Sequence, residues 1–136
     1  MKYREEIYAN TATNSRSNDH LIVIGIDQYK NGISKLNNAV LDARAIKDCL
    51  TQRYQFDQVN CHEFYDEKAT KENILSLFDE LHQRLDLKDN LVLYFSGHGT
   101  LLQSGKKGYW LLSDAIKNNR GSYLAIEEVK HFIKYL

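Results

Sequence analysis

From residue 21 onward the apolar positions of this chain switch between two rhythms, unbroken short runs and helical stripes. Leu21 to Ile26 is a continuous apolar run rich in β-branched residues, short enough for a strand covered on both faces. Asp27 to Asn38 carries Gly, Asn and Ser and predicts a loop. Ala39, Ala43, Ile46 and Leu50 then recur at helical spacing, which predicts a helix of about four turns. Gln58 to Phe64 predicts a second, less apolar strand. Thr70 is placed to cap a helix whose Ile74, Leu77, Phe78, Leu81 and Leu85 form one stripe. Leu91 to Phe95 predicts a third strand, stopping at Ser96-Gly97-His98-Gly99. Gly108 to Ser113 predicts a short strand or hairpin, and Tyr123 to Leu136 an amphipathic helix through Leu124, Ile126, Val129, Phe132 and Ile133.

Strand, helix, strand, helix, strand at this spacing predicts right-handed βαβ crossovers, hence an α/β fold in which helices flank a parallel sheet in three layers. Residues 1 to 20 are polar and predict a flexible or peripheral N-terminal arm; 21 to 136 form one domain. A flavodoxin-like strand order 2-1-3 puts the ligand crevice beyond the carboxyl ends of the first and third strands. The loop after Asp27 and the segment from Ser96 meet there, so His98 falls where this architecture carries chemistry.

Composition narrows the partners. With 136 residues, 43% hydrophobic and 26% charged, the chain has the make-up of one globular domain. Eighteen basic residues balance eighteen acidic ones and are interspersed, so nothing predicts a nucleic-acid face. No run approaches the roughly 18 apolar residues of a membrane span, and the N-terminus lacks the core of a signal peptide, which predicts a cytoplasmic protein without membrane contact. Cys49 and Cys61 are too few for a disulfide scaffold and are read as reduced.

His98 sits between two glycines that would let the backbone turn sharply and approach a ligand. Its unperturbed pKa near 6.5 suits proton transfer, and the Gly99 N–H has no side chain beside it. A histidine base next to a bare backbone donor is half of an acyl-transfer site, the donor steadying an oxyanion while the base activates a nucleophile. The plainer alternative is a turn histidine whose ring bonds to a nearby carbonyl.

Five segments in order, LIVIGIDQY, LNNAVLDARAI, KATKENILSLFDEL, NLVLYFSGHG and GYWLLSDA, resemble the caspase-like cysteine peptidases, closest to their metacaspase and bacterial branch. The resemblance covers residues 21 to 136. It implies His98 as general base and Gly99 N–H as oxyanion donor. It also implies that Asp42, in Leu41-Asp42-Ala43, and Ser96 line the pocket for the substrate residue before the cut. Caspases that cut after Asp carry an Arg six positions before that acid, where this chain has Leu36, so a basic substrate residue is expected. Asp42 has a plainer reading as an acid near a helix N-terminus. Asp114 matches the family pattern and is read as a turn or capping acid. No counterpart of the acidic calcium cluster of many metacaspases lies between Thr100 and Arg120, so no metal and no cofactor are expected.

Caspase-type nucleophiles lie about 50 residues after the His, here about position 148, beyond Leu136. Cys49 and Cys61 are read as packing thiols. The outer edge of the apolar third strand would then be open and inviting to association. These features predict a segment of a longer peptidase that takes a peptide or protein substrate and is inactive alone, its sheet completed by the rest of its own polypeptide or by another chain. The alternative is a non-catalytic homologue serving as an interaction or regulatory module. A nucleotide-binding α/β protein is disfavoured, because Gly25 and Gly32 are isolated and make no phosphate loop.

Overall fold

A computed structural model describes residues 2–10, 19–54, 60–86, 88–102 and 104–135, with residues 2–10 described as backbone. Two apolar strands, β2 (Asp19–Gly25) and β4 (Asn90–Leu102), run parallel at the centre, and β3 (Cys61–Tyr65) lies parallel on the far side of β2. The expected start of that strand at Gln58 lies outside the described residues. This β3-β2-β4 core is the 2-1-3 order expected from the crossovers. The connecting helices are α1 (Ala39–Arg53) and α2 (Lys71–Arg84).

The helices bury what the periodicity assigns to them. On α2, Ile74 and Leu81 are fully buried against Ile22, Ile24, Leu93 and Phe95, each contributing about 1.5–3 kcal/mol relative to exposure. Thr70 caps α2 as expected, its hydroxyl accepting the Asn73 N–H at 3.2 Å. Asp114 adds a second bond at the same terminus by accepting the Lys71 N–H at 3.1 Å, the capping role expected of it. On the other face, α1 places Ala39 and Ala43 over Gly25, where a methyl group would lie 2.7 Å from the Ala43 Cβ. Glycine there allows the helix to sit directly on the end of β2.

The sheet extends beyond the parallel core and is mixed. The strand β5 (Lys107–Trp110) forms a hairpin with the end of β4, followed by the short β6 (Leu124–Ala125) and α3 (Ile126–Lys134). Two local expectations are corrected here. First, β4 does not stop at the histidine: it runs through Ser96-Gly97-His98-Gly99 to Leu102, because Ser96 pairs with Gly25 of β2 and Gly99 with Trp110 of β5. Second, residues 2–10 of the polar arm form a strand, β1 (Lys2–Asn10), antiparallel along Leu91–Gly99.

Hydrogen-bond direction fixes which edge β1 takes. Ile26 N–H donates to the Ser96 carbonyl at 3.0 Å and Leu111 N–H to the His98 carbonyl at 2.9 Å. Even residues of β4 therefore turn their backbone groups toward β2 and β5, and odd residues toward the opposite edge. That edge, expected to be open, is the one β1 covers.

Candidate active site

The site begins at the carboxyl end of β2, where the chain leaves the sheet as the loop 26–38. Asp27 folds this loop back: its carboxylate accepts the N–H groups of Ala39 at 2.8 Å and Val40 at 3.3 Å, capping α1 from twelve residues away. Asn38, at the N-cap, makes no side-chain bond of its own. Asp66 steadies the same loop by accepting the N–H groups of Asp27 at 2.9 Å and Gln28 at 3.0 Å. Tyr29 and Ser34 are thereby carried over β4.

Tyr29 enters the β4–β5 ladder itself. The His98 N–H donates to the Tyr29 hydroxyl at 2.9 Å, and that hydroxyl donates to the Leu111 carbonyl at 2.7 Å. His98 and Leu111 would exchange two backbone bonds in a regular antiparallel pair. One is made directly, and the tyrosine oxygen is spliced into the other. Gly97 makes room for it, since a Cβ there would lie 2.7 Å from Tyr29 Oη and 2.9 Å from Phe95 Cζ. Gly97 thus serves close approach inside an extended strand; the sharp turn expected at this glycine does not occur. Burial keeps the Tyr29 hydroxyl protonated, well above its ordinary range, with the His98 N–H opposing and the Asp27 and Asp66 carboxylates adding to the effect.

The His98 ring is buried and tilted against Tyr29, with centroids 4.8 Å apart. Its Nε2 lies 2.7 Å from the Ser34 carbonyl oxygen. A carbonyl only accepts, so Nε2 carries the hydrogen and, in the neutral ring, Nδ1 holds the lone pair. Nδ1 is buried and has no hydrogen-bond partner. Burial lowers the His98 pKa below its ordinary value near 6.5, while the Ser34 carbonyl pulls the other way. The result is a neutral base of fixed tautomer whose protonated form the Ser34 carbonyl would steady. The ring is thus bonded to a nearby carbonyl, as the plainer reading expects, while its Nδ1 stays without a partner.

Ser96 is fully buried on β4 beside Gly25, and Asp42 is half-buried in the first turn of α1, the turn that rests on Gly25. The fold therefore brings Asp42, Ser96, Ser34 and His98 to one end of the sheet. Gly99 lies beside them with a difference: as an odd residue its N–H points toward the edge occupied by β1, in register with Lys2. An oxyanion would have to reach it from that side.

The two thiols are elsewhere. Cys61 begins β3 opposite Leu21, four residues short of the Gly25–Ser96 pair and so about 13 Å down the strand. It packs on the α1 side of the sheet. Cys49 is exposed on α1, which corrects its assignment as a packing thiol: it falls outside the Ala39–Ala43 stripe. Both are free of disulfide.

Tyr29, Ser34 and Asp27 escaped the sequence reading. All three act through contacts that span the loop, and the Tyr29–His98 bond joins residues 69 apart. Only the motif context of Tyr29 in IGIDQY, at the end of an apolar strand, could have signalled it.

The molecule is thus an α/β protein whose mixed sheet, with a parallel core, holds an oriented imidazole on its central strand β4, just past the point where β2 ends. Residues 19–133 match the caspase domain, and the chain belongs to this family of cysteine peptidases. Over 86 residues, 60% of the chain, it is 34% identical to "Metacaspase-4" of Arabidopsis thaliana, of whose length it covers 20%. The chain thus spans about a fifth of this curated relative. No helix among the described residues is long and apolar enough to cross a membrane.

Proposed function

We propose that this chain is the His-bearing part of a caspase-like cysteine endopeptidase that cuts after Arg or Lys. The observation that carries the reading is the Ser34 carbonyl bonded to His98 Nε2, which leaves Nδ1 as a buried lone pair without a partner. In the proposed reaction Nδ1 takes the proton of a cysteine thiol. The thiolate attacks the peptide carbonyl, the Gly99 N–H steadies the oxyanion, and the His98 imidazolium returns the proton to the leaving amine. Asp42, with Ser96 beside it, would pair with the basic side chain before the cut.

Cys61 lies far down the sheet and Cys49 on the surface of α1, which supports a nucleophile drawn from residues outside these 136. It would be delivered by the same polypeptide or by another chain that joins the sheet, and the chain alone would not cleave peptides. One observation favours the second reading, a non-catalytic interaction module: β1 already covers the edge of β4 beside His98.

The test is turnover of Arg-, Lys- and Asp-terminated fluorogenic peptides by the longest product of the reading frame and by this chain. Cleavage after Arg and Lys by the longer product, abolished by His98→Ala and by Asp42→Ala in folded protein, supports the peptidase. No turnover by any product, with the fold intact, overturns it in favour of the module.

A further inference from the structure

Past the histidine, β4 carries Thr100 and Leu102 on the same side as His98, and these residues wall a cleft of about 400 Å³. Its other walls are Lys117, Asn118, Arg120 and Tyr123. One wall of this cleft is tied to the loop that holds the imidazole. The Lys117 N–H donates to the Asn31 carbonyl at 3.1 Å, and a Cβ added at Gly32 would lie 3.3 Å from the Lys117 Cβ. Two residues on, the same loop gives the Ser34 carbonyl to His98.

The cleft carries charge without a counter-charge. Lys117 and Arg120 are exposed, and among the described residues no carboxylate lies within ion-pair distance of either. Asp114, the nearest acid in sequence, is engaged at the N-terminus of α2. The rest of the lining suits a short organic side chain: the Tyr123 ring and Leu102 are apolar walls, and the Thr100 hydroxyl is a donor. Tyr123 Oη accepts the Asn118 N–H at 3.1 Å and keeps its own hydrogen to donate.

We propose that this cleft is a subsite for an acidic side chain, Asp or Glu, of an extended peptide whose reacting bond lies at His98. At about 3.4 Å per residue, Thr100 and Leu102 stand about 7 and 14 Å along the strand from His98. The acidic residue therefore sits two to four positions from that bond. The substrate class becomes a peptide with a basic residue at the cut and an acidic residue nearby. The proposal rests on His98 being the reacting centre, but the subsite is tested by binding.

The isotope-labelled chain is titrated with a capped octapeptide carrying Arg, with Glu three residues away, and with its Gln twin, followed by amide shifts. The expected result is about tenfold tighter binding of the Glu peptide, with shifts at Thr100, Asn118 and Tyr123, and loss of the preference in about 0.5 M salt. The preference should vanish in Lys117→Ala/Arg120→Ala and survive in Lys106→Ala/Lys107→Ala, a control for general charge. Equal binding of the twins, or a preference that outlasts the double substitution, overturns the proposal, as does inorganic phosphate shifting these amides with no preference between the peptides. Since no turnover is measured, a Glu preference without peptidase activity in any product would refute the catalytic reading and leave the subsite standing. Turnover by the longer product with no preference would do the reverse.

Discussion

Removing the tyrosine hydroxyl spliced between β4 and β5 should destabilise the fold by about 2–6 kcal/mol, since two buried backbone groups each lose a partner at about 1–3 kcal/mol apiece. In Tyr29→Phe the ring stays against His98, but the His98 N–H and the Leu111 carbonyl face one another across the gap the oxygen filled. With legs of 2.9 and 2.7 Å meeting at a hydroxyl, that gap is roughly 4.5 Å, too wide for a direct bond. Against a total stability of about 5–15 kcal/mol the loss is large, and it should lower Tm by about 10 °C. The assay is urea unfolding followed by fluorescence of Trp110, the single tryptophan, which is buried and stacked on Phe95 at 4.3 Å. The midpoint should fall with the slope unchanged. A change below about 0.5 kcal/mol would mean that the strands close to pair directly, and the spacer argument would fail. Gly97→Ala, whose methyl would meet the same oxygen at 2.7 Å, should also destabilise, and less so in the Tyr29→Phe background.

Burial lowers the pKa of His20, His62 and His98, so the folded chain binds fewer protons than the unfolded one near neutrality. Their contribution to stability is complete above the unfolded value near 6.5 and is lost as pH falls through the folded values. Tm should drop from pH 7.5 to pH 5, and a flat profile would contradict the buried neutral imidazoles. Asp27→Ala should cost about 1–2 kcal/mol through the two α1 bonds, with Asp27→Asn retaining part of it; an unchanged Tm for both would show that the cap is idle. The backbone bonds of β1 gain about 0.5–1.5 kcal/mol each, while ordering each residue costs about 1–2, so β1 should open readily. Deleting residues 1–10 should expose the Leu91–Gly99 edge and produce dimers or larger species by light scattering, and a strictly monomeric product would count against edge protection.

What the sequence carried plainly were features whose cause is local. The apolar run Leu21–Ile26, the α2 stripe and the Thr70 cap each declare themselves within a few residues, and the 2-1-3 order follows from crossover handedness once those elements are in place. What it hid were contacts between distant segments. Lys2–Asn10 is polar and forms a strand because β4 offers an edge, which no window of nine residues reveals. Asp27 caps a helix it does not adjoin, and Tyr29 bonds His98 across the crevice.

The glycines of Ser96-Gly97-His98-Gly99 show why local reading misassigns this motif. A glycine pair around a histidine predicts a turn when judged by conformational freedom alone, yet β4 continues through it and neither glycine has a positive φ. At Gly97 the absent side chain admits the hydroxyl of Tyr29 instead, and that hydroxyl holds the His98 N–H from one side while the Ser34 carbonyl holds the ring from the other. The imidazole is thus fixed by a loop inserted into a continuous strand. Its Nδ1 is oriented by the same contacts that stabilise the sheet, so a substitution that loosens Tyr29 should disturb stability and His98 titration together.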